Sequence, residues 1–235
     1  EAYPGVISYD SFEQLLDDPE IELLIVNTPN YTHFEFAEKA LMAGRHVVVE
    51  KPFCVSSGEC TRLIELAREK SLCLSVYQNR RWDSDFQLVR QIVESGELGT
   101  LAEAEIHFAR FNLALSSKTH KEQAGPGTGL LYDLGSHLID QALLLFGWPD
   151  ELMADIEIMR PASQVSDYFE IVMRYGKLRV RLKSGYIVKE PLPAYVLHGT
   201  KGSFLKTRGD RQEADLLAGI DPRQPDWGVE NGQDG

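Results

Sequence analysis

Three apolar runs of strand length alternate with helix-like segments over the first third of the chain. The runs are IELLIVNTP from Ile21, RHVVVEKP from Arg45 and LCLSVYQ from Leu72. Each is bounded by turn residues and lacks regular polar alternation, which is typical of strands buried on both faces in a parallel sheet. Helical spacing in residues 32–43 and 56–70 predicts right-handed crossovers between them. The pattern therefore predicts an α/β fold that begins with part of a doubly wound parallel sheet.

The pattern changes near residues 78–83. Residues 101–111 alternate like a half-buried strand, a polar loop spans 116–129, and residues 130–147 predict a long helix. From 152 to 205 the runs are rich in β-branched and aromatic residues, which favours an antiparallel sheet. We therefore predict two domains: 1–80, the second part of a nucleotide-binding domain, and 81–235, an α+β domain with a large open, mainly antiparallel sheet. The polar tail 207–235 is expected to run over the surface.

Charge and composition exclude several classes of protein. The chain has 36 acidic and 24 basic residues and a net charge of −12. Nucleic-acid binding requires a basic surface, and an acidic protein is also repelled by anionic membranes. No apolar run approaches the roughly 20 residues that span a bilayer, and the first residues do not resemble a signal peptide. We expect a cytoplasmic protein with no nucleic-acid or membrane partner.

The first cluster of candidate site residues follows the first apolar run. Thr28, Pro29, Asn30 and His33 lie between a predicted strand and a predicted helix. Open α/β sheets bind ligands beyond the carboxyl ends of their strands, and the N–H groups of a helix start can bind a pyrophosphate. For this stretch taken alone, an ordinary turn with a helix cap is the better explanation, because such turns end many strands.

The second cluster is Glu50-Lys51-Pro52, directly after three valines. Pro52 disfavours the helical conformation at Lys51, so the chain is expected to leave the strand in an extended form. An ammonium group at this position could stabilise developing negative charge on a substrate oxygen. The alternative is a solvated loop lysine, as most lysines are.

The third cluster is on the predicted helix 130–147. Asp133 and His137 are four residues apart, which places both side chains on one face, and Asp140 extends the polar stripe. A histidine can accept a proton near neutral pH, and a carboxylate can orient it. A satisfied core histidine is the alternative. A catalytic zinc site needs a third protein ligand, and none is evident, so we predict no metal.

The glycines at 125, 127 and 129 do not form a dinucleotide-binding loop. The run GPGTGL has leucine where GxGxxG requires its last glycine, and it follows a polar loop instead of a strand. A turn that leads the chain into the helix is the better interpretation. The three cysteines contain no CxxC pair, so they indicate neither a zinc knuckle nor a disulfide framework.

In order and spacing, the three clusters resemble the Gfo/Idh/MocA oxidoreductases, named after glucose–fructose oxidoreductase, inositol dehydrogenase and rhizopine catabolism. The resemblance is carried by LLIVNTPNYTHFEFAEKALMAGRHVVVEKPFCVSSGE, VYQNRRWD and GPGTGLLYDLGSHLIDQALLLFG, and it covers roughly residues 6–205. It implies a partial Rossmann domain followed by an α/β domain with a large open sheet. It also implies a homodimer or homotetramer.

The resemblance also implies roles for individual residues. The cofactor, NAD or NADP, would be bound by Thr28, Pro29, Asn30, His33, Glu50, Lys51, Asn79 and Arg80. The catalytic residues would be Lys51, Asp133 and His137, and these would bind the substrate together with Trp82.

The sequence departs from the family pattern at its beginning. The first strand, the glycine-rich turn and the acidic residue that contacts the ribose are absent, so we expect the functional protein to start upstream.

Our main hypothesis is oxidation of a secondary alcohol of a sugar or cyclic polyol. His137 would accept the hydroxyl proton, Asp133 would orient it, Lys51 would polarise the oxygen, and hydride would pass to the nicotinamide. Specificity is expected to depend on the loop 116–123. One alternative is a catalytically inactive, nucleotide- or sugar-binding regulatory protein of the same fold. The other is a resemblance of fold alone.

Overall fold

The computed structural model describes residues 5–117, 121–190 and 192–229. Parts of the segments analysed above, namely residues 1–4, 118–120 of the polar loop and 230–235 of the tail, lie outside this range. The chain divides into two compact units, the first ending at Tyr77 and the second beginning at Gln78. The functional division predicted for 1–80 and 81–235 stays a prediction.

The first unit contains a three-stranded parallel sheet in the order β1-β2-β3. Its elements are α1 Phe12–Asp17, β1 Leu23–Val26, α2 His33–Met42, β2 His46–Glu50, α3 Ser57–Glu69 and β3 Leu74–Tyr77, with a 3₁₀ turn Asn30–Thr32 before α2. Ser11 caps α1, since its side chain accepts a hydrogen bond from the N–H of Gln14. The predicted order of strands and helices is therefore observed.

The expectation that these strands are buried on both faces is wrong for the part of the chain that the structure describes. One face packs against α2 and α3 through Leu24, Val26, Val47 and Val49. The opposite face is open, with Leu23 50% and Ile25 68% exposed. The reason is topological: strands that are consecutive in space as well as in sequence, joined by right-handed crossovers, place both helices on the same side.

The second unit is built on a six-stranded sheet in the order β5-β6-β7-β4-β8-β9. Only β4 and β7 pair in parallel, and the other neighbours are antiparallel. The elements are α4 Ser84–Ser95, β4 Leu101–His107, α5 Ser136–Phe146, β5 Glu151–Glu157, β6 Tyr168–Tyr175, β7 Leu178–Gly185, β8 Tyr195–Gly199, β9 Ser203–Lys206 and α6 Arg211–Leu217. The predicted fold class, a partial doubly wound sheet followed by a mainly antiparallel sheet, is confirmed.

The core of the second unit lies between one face of this sheet and helices α4 and α5. It is formed by Phe86, Val89, Ala104, Ile106, Leu130, Leu134, Leu138, Ala142, Phe169, Ile171, Met173, Val180, Leu182, Ala194, Tyr195 and Leu197. The alternation predicted for 101–111 is present in β4, where Ala104 and Ile106 face the core. No helix in the described ranges is both long and apolar enough to cross a bilayer.

The long helix predicted for 130–147 does not start as a regular α-helix. Residues Leu131–Gly135 form a π turn that continues into α5. Gly135 lies against Phe169 so closely that a Cβ there would be 3.3 Å from the ring. Such widened turns occur often at functional sites, and this one carries Asp133.

The glycine-rich run before this helix is a turn, as the sequence indicates. The N–H of Thr128 donates to the carbonyl of Gly125, and Gly129 has a φ of +93°. The next residue, Leu130, donates its N–H to the carbonyl of Ser166 at 2.7 Å. The positive φ of Gly129 thus leads the chain past Ser166 and into the π turn.

The described part of the tail is more than a surface excursion. It contains α6, whose first turn is capped by the Asp210 side chain. Asp215 of this helix is buried and accepts a hydrogen bond from the N–H of Gly228 at 2.9 Å. The polar composition of this segment reflects specific hydrogen bonds.

We predict that Gly129→Ala destabilises the second unit by about 1–3 kcal/mol, the usual cost of a strained backbone position. Its Cβ would lie 2.5 Å from Ser166 Oγ and the backbone would keep its positive φ. Gly125→Ala is the matched control, because its Cβ would have nothing within 4 Å. Urea unfolding followed by tryptophan fluorescence reports on this unit, since all three tryptophans lie beyond residue 77. Equal stability of the two variants would contradict the prediction.

Candidate functional site

The first two predicted clusters lie at the same edge of the first sheet. The register pairs Val26 with Val49 and Glu50 with Tyr77, so the three parallel strands end side by side. The residues that follow β1 and β2 therefore share the carboxyl edge, which is where open α/β sheets bind ligands. In this unit the structure brings together Thr28, Pro29, Asn30, His33, Glu50 and Lys51.

His33 joins the two loops at this edge. Its ring is fully buried, with Nδ1 2.8 Å from the carbonyl oxygen of Pro52 and Nε2 2.9 Å from that of Thr28. Each ring nitrogen thus lies at hydrogen-bonding distance from one backbone carbonyl oxygen, and the nitrogen that carries the proton donates to its partner. In the structure, His33 holds the shape of the edge. The predicted cofactor contact of this residue stays a prediction.

The loop after β1 is closed by two threonines. The hydroxyl of Thr32 donates to the carbonyl of Pro29 at 2.7 Å and lies 2.8 Å from the hydroxyl of Thr28. Residues Asn30–Thr32 form a 3₁₀ turn, and α2 begins at His33, one residue after the predicted start. Thr28 and Asn30 are half-buried at this edge.

Lys51 directly follows β2 and is half-buried. Its N–H donates to the Oε2 atom of Glu50 at 3.2 Å, which folds the Glu50 side chain back over the strand end. The peptide bond between Lys51 and Pro52 is cis. The backbone thus places an amine and a carboxylate next to each other at the carboxyl edge of the sheet.

In the second unit, α5 holds the turn formed by Asn79–Arg81. The amide nitrogen of Gln141 donates to the carbonyl of Arg80 at 3.0 Å. Asp140 receives two hydrogen bonds from the Arg81 guanidinium, at 2.6 and 2.7 Å. Beyond His137, the polar residues Asp140 and Gln141 of α5 therefore hold this turn in place.

The side chains around this turn differ in exposure. Arg80 is engaged by Asp83 at 2.9 Å and Glu213 at 3.4 Å, and its guanidinium lies over the Phe108 ring. Trp82 is 72% exposed. Their predicted roles, a cofactor contact for Arg80 and a substrate contact for Trp82, stay predictions.

A cluster of polar and charged side chains surrounds the buried Tyr195. Its hydroxyl donates to Gln141 Oε1 at 3.2 Å and accepts from Arg208 at 3.3 Å, and Arg208 lies 3.9 Å from Asp85. Burial raises the pKa of Asp85, although Arg208 and the N–H of Gly209 lower it. Burial likewise raises the pKa of Tyr195, so the phenol remains a hydrogen-bond donor. Sequence analysis did not identify this cluster, because its members are far apart along the chain.

Asp133 and His137 lie at the start of the long helix. Asp133 is in the π turn and His137 is buried at the beginning of α5, four residues later. The Nζ atom of Lys121 donates to Oδ1 of Asp133 at 3.2 Å. Asp133 of the expected pair is therefore in contact with a cation from the polar loop. Sequence analysis did not single out this cation, Lys121. Among the described residues, no group of three or more potential ligands could hold a metal ion.

Comparison with known families decides which fold family this arrangement represents. Residues 1–78 match the model of the oxidoreductase family with an NAD-binding Rossmann fold, and residues 86–205 match the GFO/IDH/MocA C-terminal domain. The chain belongs to the GFO/IDH/MocA oxidoreductase family. The predicted resemblance and the predicted cofactor class, NAD or NADP, are confirmed at this level.

Relatives in this family match over nearly the whole chain. An uncharacterized oxidoreductase of Schizosaccharomyces pombe, C115.03, is 42% identical over 97% of the chain and 64% of its own length. The scyllo-inositol 2-dehydrogenase (NADP(+)) IolW of Bacillus subtilis is 39% identical over 97% of the chain and 63% of its own length. The structure of the YPO2259 putative oxidoreductase from Yersinia pestis has a TM-score of 0.89 at 42% identity, covering 97% of the chain and 64% of that protein. The chain thus spans just under two thirds of these relatives.

We predict that His33→Ala destabilises the carboxyl edge of the first unit by about 2–4 kcal/mol, because a fully buried ring that contacts both loops is removed and one carbonyl group loses its donor. Hydrogen–deuterium exchange of peptides from residues 23–52 measures this local stability directly. His46→Ala is the control, since the His46 ring accepts only one exposed hydrogen bond, from Cys73. Unchanged exchange in His33→Ala would show that His33 does not hold the two loops together.

We predict that Tyr195→Phe destabilises the second unit by about 1–2 kcal/mol, since Gln141 and Arg208 each lose a buried partner. Tyr175→Phe should change the stability less, because its hydroxyl bonds to Gly147 in an exposed place. The measurement is urea unfolding followed by tryptophan fluorescence. A larger loss in Tyr175→Phe than in Tyr195→Phe would refute this ranking.

Proposed function

We propose that the protein is an NAD(P)-dependent dehydrogenase that oxidises a secondary alcohol of a sugar or cyclic polyol. The observation that carries this proposal is the set of polar residues at the carboxyl edge of an NAD-binding Rossmann sheet, in a chain whose second unit carries Asp133 and His137 one helical turn apart. A relative named for a scyllo-inositol dehydrogenase activity supports the choice of a cyclic polyol.

The residues of the first unit fit a nicotinamide dinucleotide. The edge presents half-buried hydroxyl and amide groups at Thr28 and Asn30 and an ammonium group at Lys51. These groups suit the polar ribose and amide parts of such a cofactor. In the proposal they hold it with Pro29, His33, Glu50, Asn79 and Arg80. When bound, the nicotinamide accepts the hydride that the alcohol loses.

Three side chains are proposed to act on the substrate hydroxyl. Lys51 donates a hydrogen bond to the reacting oxygen and stabilises the negative charge that develops there. His137 accepts the hydroxyl proton, and Asp133 orients the substrate and the imidazole. Trp82, which is largely exposed, is proposed to contact the distal part of the substrate.

The alternative, a catalytically inactive regulatory protein, requires only the binding half of this chemistry. A protein that only binds has no use for a proton acceptor, and the chain has both Lys51 and the Asp133/His137 pair. The proposal of an enzyme therefore uses more of the observed residues. A homodimer or homotetramer also stays a prediction.

We predict that the complete protein forms NADH or NADPH in the presence of scyllo-inositol or another member of a sugar and polyol panel. Lys51→Met and His137→Gln should each lower kcat by about 10²–10⁴-fold, the usual contribution of a positioned acid–base group. The measurement is the initial rate of absorbance change at saturating cofactor. Lys177→Met, in the exposed turn between β6 and β7, and His198→Gln, on the exposed side of β8, are the matched controls.

The outcomes separate the candidate functions. Unchanged turnover in Lys51→Met or His137→Gln would remove that residue from the mechanism. Cofactor binding by calorimetry without turnover of any panel member would favour the regulatory protein.

A further inference from the structure

Lys121 lies in the polar loop and contacts Asp133, one of the residues proposed to act on the substrate. Its ammonium group donates to Asp133, and the two side chains are 44% and 30% exposed. Exposed ion pairs contribute little to stability, so folding alone gives no strong reason for this contact. Because both groups are accessible, a ligand can reach them.

The position of Lys121 is fixed by its neighbour. Glu122 accepts a hydrogen bond from the N–H of Ser116 at 2.7 Å and pairs with Arg160 at 3.2 Å. Arg160 is itself buried and donates to Asp167 at 2.7 Å and to the carbonyl of Ala114 at 2.8 Å. Both described sides of the loop are thus tied to one buried arginine, which holds the residue next to Lys121 in place.

Tyr186 borders the same group of charges. Its ring lies 4.6 Å from the Arg160 guanidinium carbon and 5.2 Å from that of Arg110. Burial raises the pKa of Tyr186, Asp133 and Glu122 raise it further, and the two arginines oppose the rise. The ring therefore stacks against Arg160, the arginine that holds Glu122 of the loop.

An adjacent ammonium and carboxylate are complementary to a hydroxyl group. The ammonium only donates and the carboxylate only accepts, whereas an alcohol does both. A hydroxyl between them can accept from Lys121 and donate to Asp133, in two charge-assisted hydrogen bonds. His137 follows Asp133 by four residues, at the point where the π turn passes into α5, so the two side chains leave the helix about one turn apart. Oxygens on neighbouring carbons are close enough for one to reach each residue.

We propose that Lys121 and Asp133 bind the hydroxyl group on the carbon next to the one that reacts, which makes Lys121 a specificity-determining residue for vicinal diols and α-hydroxy ketones. This inference rests on the proposed function, because it takes the reacting group to lie at His137. It assigns a substrate contact to a loop residue outside the three sequence clusters.

The test compares reduction of 2-hydroxycyclohexanone and cyclohexanone by the complete protein with NADH or NADPH. The wild type should prefer the hydroxy ketone in kcat/KM, and Lys121→Met should lower this preference about ten- to hundredfold, the value of a charge-assisted hydrogen bond. Methionine keeps the length of the side chain and removes only the donor. Lys121→Arg keeps a donor and should recover most of the preference, and Lys177→Met should retain all of it.

Two results would overturn the inference while the proposed function stands. One is a Lys121→Met variant that folds, as shown by an unchanged thermal unfolding temperature, and keeps the wild-type preference. The other concerns an enzyme that oxidises scyllo-inositol but reduces neither ketone. In that case the KM for scyllo-inositol should rise at least about tenfold in Lys121→Met. An unchanged KM would contradict the proposed role of Lys121. If the wild type shows no NAD(P)-linked turnover with any of these compounds, the proposed function itself fails.

Discussion

The buried amide of Gln141 is the interaction on which the second unit depends most. An amide inside an apolar helix face is costly unless it is hydrogen-bonded, and here its nitrogen donates to the Arg80 carbonyl while its oxygen accepts from Tyr195. These two bonds fix the rotation of α5 about its axis and hold the 79–81 turn against it. His137 lies one turn before Gln141 on the same face, so the same bonds also determine where its imidazole lies.

The first unit uses the same principle at the ends of its strands. Parallel strands end with backbone carbonyl groups that the sheet does not satisfy, and those of Thr28 and Pro52 are close to the ring of one buried histidine. A residue that was identified as a candidate cofactor ligand thus has a structural task that the local pattern does not reveal. Around this ring, Lys51 and the Thr28–Asn30 segment present further polar groups at the same edge.

Local patterns predicted the order of the elements and the spacing of Asp133 and His137, because each depends on neighbours within a few residues. The open face of the first sheet was missed, since it depends on strand order and crossover handedness together. The π turn depends on Gly135 packing against Phe169, which is distant in sequence. Sequence analysis did not single out Lys121 either, because Lys121 lies in a polar loop without periodicity. Its neighbour Glu122 is held by Arg160, which is distant in sequence.

The charges around Asp133 indicate which kind of substrate the second unit can accommodate. Among the described residues, Lys121 pairs with Asp133, Arg160 pairs with Glu122 and Asp167, and Arg110 and Arg160 stack on Tyr186. A site for phosphate or carboxylate needs cations that are not already neutralised. A balanced group of donors and acceptors instead matches an uncharged molecule with several hydroxyl groups. The net charge of −12 therefore does not reflect the environment of Asp133, and the local balance fits the neutral polyol that we propose as the substrate.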